Sequence, residues 1–307
     1  MPRESGAPGA LGDYEEIEGQ AREIRRLVVR TVAHAGAGHI GGPLSAADIL
    51  AALYFRVMRV DPARPDWPDR DRFILSKGHS AIGWYAVLAL RGYFPVEELQ
   101  TFDAIDSRLQ GHPDMTMTPG VDMSSGSLGQ GLSVGLGMAL GAKLAGKDFH
   151  TWVMLGDGEL HEGQVWEAAQ VAPRYRLGNL TAIVDHNKLS QYGWTYGSDG
   201  YAGLQREAPI GDPGGKFRAF GWSIVEIDGH DVGQILAACA LGRASERPTL
   251  IVAHTLKGKG VSYMEGHYAW HSKPITEDDL ARALAELGVM GPETPEMALV
   301  GSVEEAL

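Results

Sequence analysis

The chain has 307 residues, 44% hydrophobic and 21% charged, which is ordinary globular usage and excludes wholesale disorder. With 27 basic and 39 acidic residues its formal charge is −12, a balance that excludes a general nucleic-acid binder. A lone Cys239 excludes an intrachain disulfide or a thiolate metal site, and there is neither a membrane-length apolar run nor a signal-peptide core, so a soluble chain in a reducing cytoplasm is expected.

Residues 1–12 read as a flexible terminus. A helix is expected over 14–34, where Ile17, Ala21, Ile24, Val28 and Val32 share one stripe. The glycine-rich AGAGHIGGP ends it, and Ser45 with Asp48 reads as the cap of a second helix, ADILAALYFRVM. After a proline-rich connector come a strand, RFILS, a turn, KGH, and a helix near 80–91. Residues 104–128 lack periodicity, and the small-residue helix LGQGLSVGLGMALGAKLA follows, its glycines permitting close packing.

Next come the strand TWVML, the turn GDG and a helix near 163–175, then the strand LTAIVDHN. FGWSIVEI and PTLIVAHT are two further strands, separated by a helix near 231–244 that buries Cys239, and Thr276 caps a last helix, EDDLARALAEL. Strands alternating with helices predict an α/β fold: a mostly parallel sheet with helices on both faces, forming one domain over 13–290 ahead of an acidic tail, 291–307.

Glycine numbers 41 and clusters at 36–42, 126–141 and 156–163, which favours a ligand cradle over a linker. The strongest chemical signal is Gly156-Asp157-Gly158, followed after 28 residues by Asn187-Lys188-Leu189, both just past the carboxyl end of a strand. Asp157 offers a carboxylate oxygen, Asn187 an amide oxygen and Leu189 a backbone carbonyl. Three hard donors leave octahedral positions for two phosphate oxygens and a water, which suits Mg²⁺, or Ca²⁺ or Mn²⁺ in its place. Gly156 and Gly158 let backbone approach phosphate without a Cβ in the way. The spacing resembles the thiamine diphosphate signature of thiamine-dependent enzymes.

The pieces GHIGGPLSAADIL, DRFILSKGHS, GHPD, SSGSLGQGLSVGLGMA, LGDGELHEGQVWEAA, HNKL and WHSKP, in this order, resemble the amino-terminal, diphosphate-binding domain of transketolase from about residue 15 to residue 285. The resemblance implies that His39 faces the reacting sugar and that His79 stands near the diphosphate and the substrate channel. It implies that His112 hydrogen-bonds the donor ketose and that His271 lies on the diphosphate side, with His267 competing for that role. Gly126 and Leu128 match cofactor contacts, and Glu162 and Glu167 match carboxylates linking two active sites across a dimer, Glu162 also on the cofactor side. His34, His150, His161, His230 and His254 sit in no motif and read as structural, and Trp166, Trp194, Trp222 and Trp270 read as packing. KGKG, 257–260, is either a phosphate loop or an ordinary basic turn. Ser127 stands where the family often has Pro, Lys77 where it often has Asn, and His186 where an acid is common; the first two bear on sugar choice.

Transketolases continue into a pyrimidine-binding and a third domain, and the glutamate that activates the aminopyrimidine lies there. The resemblance therefore implies the amino-terminal subunit of a split enzyme, transferring a two-carbon ketol unit between sugars or sugar phosphates. An α2β2 assembly with a carboxyl-terminal subunit is expected. Two alternatives stand beside it: an alpha subunit of a 2-oxo-acid dehydrogenase, which shares GDG and Asn, and a non-catalytic module of the same fold.

Overall fold

The computed structural model describes residues 11–191 and 210–288. Five strands form one sheet: β1 Arg72–Leu75, β2 Thr151–Gly156, β3 Leu180–His186, β4 Ser223–Asp228 and β5 Thr249–His254. All neighbours pair parallel, in the spatial order β1-β2-β3-β5-β4, so every connection is a crossover. The helices are α1 Leu11–Ala35, α2 Gly41–Ala52, α3 Ala81–Arg91, α4 Gln130–Leu144, α5 Gly163–Val171, α6 Pro213–Phe220, α7 Val232–Ala244 and α8 Glu277–Glu286.

The strand period of two divides the core into two layers. Phe73, Leu75, Trp152 and Met154 pack with Ile24 of α1, Leu50 of α2, Tyr85 of α3 and Ile235 of α7. Ile74, Val153 and Leu155, one residue out of phase, pack with Leu132 of α4, Val165 of α5 and Phe217 of α6. The α/β architecture with helices on both faces is thus the one expected, and apolar side chains on both faces of each central strand are its cause. The expected acidic tail and all but two residues of the expected flexible terminus lie outside the described residues, as does Trp194.

Several boundaries differ for identifiable reasons. α1 begins at Leu11, ahead of its apolar stripe. α2 begins at Gly41 with no side-chain cap, so Ser45 and Asp48 do not start it. Both are buried inside the helix, Ser45 Oγ facing Asp185 of β3 at 2.6 Å and Asp48 paired with Arg25 of α1. α5 stops at Val171 because Pro173 cannot continue the ladder, and a 3-10 turn spans Ala172–Tyr175. β4 starts at Ser223, since α6 occupies the residues before it. The unexpected α6 has Asp212 capping Gly215 N at 2.8 Å and Gly221 ending it at φ 101°; two adjacent glycines hide its pattern in the sequence. The expected Thr276 cap is present, and Asp279 completes it as a capping box.

The glycines of α4 serve unequal ends. A Cβ at Gly135 would lie 2.4 Å from Val153 Cγ2, whereas one at Gly137 meets nothing within 4 Å. Gly135→Val should therefore destabilise the chain by about 1–3 kcal/mol or more through overpacking. Gly137→Ala should stabilise it by about 0.4–1 kcal/mol. Urea unfolding of both variants of the isolated chain checks the contrast; equal effects would mean that α4 does not pack on β2 through Gly135.

Candidate active site

The carboxyl ends of β1, β2, β3 and β5 open onto a cavity of about 450 Å³. The turn after β1 brings Lys77 and His79, that after β2 brings Gly156, Asp157 and Gly158, and that after β3 brings Asn187 and Leu189. Lys257 follows β5, His39 lies between α1 and α2, Gly42 is in the first turn of α2, and His112, Gly126, Leu128 and His271 come from the connections between elements. Open parallel sheets place ligands at this edge because the crossover helices leave a crevice there.

Glycine is required where these loops touch. A Cβ at Gly78 would lie 2.7 Å from Gly126 N, and one at Gly41 would lie 2.8 Å from Trp270 O. At Gly156 and Gly158, which also line the cavity, a Cβ would make ordinary van der Waals contact, 3.7 Å from Lys77 and 3.4 Å from Ser190, without a clash.

Beneath the cavity floor lies Asp185, wholly buried on β3. Ser45 Oγ donates to its Oδ2 at 2.6 Å, Asn187 Nδ2 to the same oxygen at 3.3 Å, and Thr255 Oγ1 to Oδ1. The Lys77 ammonium pairs with it and also donates to Gly42 O at 3.1 Å. Burial pushes the Asp185 carboxyl up, but Lys77, Ser45 and Thr255 outweigh that and hold it below its usual range.

Asp157 is in the opposite condition. Gly158 N donates to its Oδ1 at 2.7 Å and Lys188 N to Oδ2, while His186 Nδ1 stands 3.7 Å from Oδ2 with no hydrogen-bond partner among the described residues. Burial, and then the neighbouring Asp185 charge, push its pKa up to about 6. Lys188 holds a left-handed φ of 63° in the turn after β3, from where its amide reaches Asp157. An under-compensated buried carboxylate beside an amide oxygen and a backbone carbonyl fits a divalent cation of the Mg²⁺ kind. Among the described residues no group of three or more His, Cys, Asp or Glu is arranged to hold a metal, so a zinc-type site is not what this cavity offers. The Leu189 carbonyl accepts from Lys257 Nζ at 2.8 Å, and the same nitrogen is 2.9 Å from His271 Nδ1. Burial pushes Lys257 down to about 8, although Asp157 and Asp185 oppose the shift.

Four histidines line this cavity together. Ring centroids of His39 lie 5.0 Å from His79, 5.1 Å from His271 and 6.5 Å from His112, and His79 lies 5.0 Å from His271. Burial, then Lys77, pushes His79 down to about 2; burial, then Lys257, pushes His271 down to about 3. His39 is lowered by burial and by His112. These three are neutral imidazoles at pH 7, each able to donate from one nitrogen and accept at the other.

His267, Ser127, Glu162 and Glu167 do not line this cavity; Ser127 and both glutamates are exposed. A second buried acid there, beside Asp157, is Glu159, which no sequence motif singled out. Its Oε1 accepts from Ser76 Oγ and from Gly129 N at 2.8 Å, and its Oε2 from Gly156 N at 3.0 Å, tying three loops together. Its position directly after GDG was the available signal. Of KGKG, Lys257 lines the cavity and Lys259 does not. Trp166 packs against Phe217 and Trp222 donates to Ala169 O at 2.7 Å, both away from the cavity.

An α/β domain that gathers hard oxygens, ammonium groups and neutral imidazoles at one sheet edge is suited to binding an anionic cofactor. The family model described as transketolase, thiamine diphosphate binding domain, matches residues 18–298, and the chain belongs to that family. It is 44% identical over 273 residues to the 6-deoxy-6-sulfo-D-fructose transketolase subunit SqwG of Clostridium sp. (strain MSTE9), covering 89% of this chain and 96% of that one. It is 41% identical to an apulose-4-phosphate transketolase subunit of Actinobacillus succinogenes, covering 89% and 96%. The transketolase of Pichia stipitis in complex with sedoheptulose-7-phosphate superposes with a TM-score of 0.80 at 35% identity, over 89% of this chain and 40% of that one.

The lowered histidines give a pH dependence of folding. Unfolded histidine gains its proton near pH 6.5, while buried His79 and His271 stay neutral down to about 2 and 3. The unfolded state then binds more protons, so stability falls as pH drops from about 6.5 toward 3. Asp157, raised to about 6, acts in the opposite sense between its usual value and 6, and offsets one proton of this loss. His79→Gln should flatten the fall by up to about 1.4 kcal/mol per pH unit. Urea midpoints between pH 7 and 5 check this; an unchanged slope would mean that His79 is not a buried neutral imidazole.

Proposed function

We propose that this chain is the amino-terminal, diphosphate-binding subunit of a two-component transketolase. It works in the cytoplasm with a carboxyl-terminal subunit that carries the pyrimidine-binding and third domains. The two form an α2β2 assembly with Glu162 and Glu167 at the twofold contact. One observation carries the reading: in a chain of this family, Asp157, Asn187, Leu189 and four histidines border a single cavity. Relatives covered over 96% of their own length are named as transketolase subunits, which supports the two-component arrangement. Those relatives are named for a sulfonated and a phosphorylated sugar, so a ketose donor with an anionic far end is the substrate class.

Thiamine diphosphate, when bound, supplies the nucleophilic carbon and the electron sink for transfer of a two-carbon ketol unit to an aldose. The residues of this chain bind and orient. Asp157, the Asn187 amide oxygen and the Leu189 carbonyl would hold Mg²⁺, or Ca²⁺ or Mn²⁺. Asp185 turns the Asn187 amide by accepting from its Nδ2, and Oδ1, which accepts from Leu189 N at 3.1 Å, would give its second lone pair to the ion. Lys257, His79 and His271 offer donors to the diphosphate, and Gly126, Leu128, Gly156 and Gly158 leave it room. His39 and His112 donate to sugar hydroxyls.

Two variants separate these roles in the assembled enzyme. Asp157→Ala removes a ligand and should weaken thiamine diphosphate binding at least about 100-fold by calorimetry. His112→Ala should slow transfer by about 3- to 10-fold, the loss of roughly one hydrogen bond, with cofactor affinity unchanged. Unchanged affinity in Asp157→Ala would remove the metal assignment, and lost affinity in His112→Ala would move His112 to the cofactor side.

The chain alone should show no ketol transfer with thiamine diphosphate, Mg²⁺, fructose 6-phosphate or 6-deoxy-6-sulfofructose, and an aldose phosphate acceptor. Activity should appear on adding the carboxyl-terminal subunit. Turnover by the chain alone would overturn the two-component reading.

A further inference from the structure

His230 stands in the loop after β4, at the same edge of the sheet as the cavity, yet does not line it. Its ring makes two hydrogen bonds of opposite sense. Nδ1 lies 2.7 Å from Asp48 Oδ2, and Nε2 lies 2.9 Å from the backbone nitrogen of Leu256. A backbone N–H is only a donor, so Nε2 must hold the lone pair and Nδ1 the proton. A carboxylate is only an acceptor and demands the same tautomer. Asp48 is itself fixed: Arg25 Nη1 donates to its Oδ1 at 3.1 Å, a second guanidinium nitrogen pairs with Oδ2, and Arg25 Nε donates to Leu44 O at 3.1 Å. The backbone N–H of His230 donates to Asp228 Oδ1 at 2.9 Å, which fixes the loop from its other side.

The far end of this relay is beside the cavity. Leu256 directly precedes Lys257, whose ammonium is shared between the Leu189 carbonyl and His271 Nδ1. The segment is also tied by Thr255 N to His186 O at 3.3 Å and by Gly258 N to Gly41 O at 3.1 Å. The Leu256 bond lies between these two and next to the Lys257 Cα. We propose that His230 is a positioning residue for Lys257: Arg25 and Asp48 hold its imidazole as the Nδ1–H tautomer, and the free Nε2 lone pair holds the Leu256 amide and so sets where the Lys257 ammonium stands. The geometric part is independent of function; its consequence for cofactor binding rests on the transketolase reading above.

Side-chain amides separate the two bonds of the ring. Gln can put an oxygen where Nε2 stands and accept from Leu256, whereas Asn can put an NH₂ where Nδ1–H stands and donate to Asp48 but reaches no further. In the chain alone, NMR of the ring nitrogens should show Nδ1 protonated and Nε2 bare at pH 7. Hydrogen exchange of the Leu256 amide should be slow in the wild type and in His230→Gln, and fast in His230→Asn and His230→Ala. In the assembled enzyme, His230→Gln should hold thiamine diphosphate and Mg²⁺ within about threefold of the wild type. His230→Asn should weaken them roughly tenfold, the usual scale for a residue behind the ligands. In a Lys257→Met background the difference between Gln and Asn should vanish. The opposite tautomer, equal Leu256 exchange in Gln and Asn, or a difference that survives Lys257→Met would each overturn the proposal. Absence of thiamine diphosphate binding by the wild-type assembly would instead overturn the functional reading, and the tautomer and exchange measurements would still decide the relay.

Discussion

A single buried negative charge organises this site. Asp185 lies under the carboxyl ends of the strands, out of reach of water, and an ionised carboxylate there is tolerable only if it is fully paired. Its partners come from four separate places: Ser45 within α2, Lys77 after β1, Asn187 after β3 and Thr255 after β5. Each partner is held by the need to keep that charge compensated, and removing the Lys77 ammonium leaves a penalty of about 3–5 kcal/mol. The loops that border the cavity are therefore tied to a common point rather than placed one by one.

The same charge sets the electrostatics above it. Asp185 consumes the Lys77 ammonium, and its field raises the neighbouring Asp157 toward neutrality. Lys257 is left with the Leu189 carbonyl and a neutral imidazole, and burial lowers it. The upper layer is thus a carboxylate short of cations and an ammonium short of anions, a short distance apart in the same cavity. A divalent cation and a diphosphate supplied together would correct both deficits, and supplying either alone would correct one. The lowered histidines add donors without adding charge, so they line the cavity without repelling Lys257.

Glu159 performs the equivalent task on the other side of the cavity with neutral donors. Ser76, Gly129 and Gly156 converge on its two oxygens, joining β1, the start of α4 and the end of β2. Gly129 takes a φ of 83° to aim its amide there. Asp185 and Glu159 together explain why glycine-rich loops, each with little structure of its own, hold one arrangement.

Alternating apolar strands and helical stripes in the sequence determined the five strands, seven of the eight described helices and the parallel, doubly covered sheet, because periods of 2 and 3.6 are local properties of the chain. Turn residues after β2 and β3 marked Gly156, Asp157, Asn187 and Leu189, because the carboxyl edge of a parallel sheet is where such residues face a ligand. The resemblance to transketolase picked out His39, His79, His112 and His271, which the fold brings within one cavity from four segments. What local pattern misassigned were residues whose partners are distant in sequence. Ser45 and Asp48 have the look of a helix cap, yet they face charges 140 and 23 residues away. Glu159 and His230 resemble ordinary turn residues until the strands are assembled. A buried polar group is defined by what surrounds it, and only the tertiary structure decides which carboxylate finds an ammonium, which imidazole finds an amide, and hence which of several plausible side chains stand at the site.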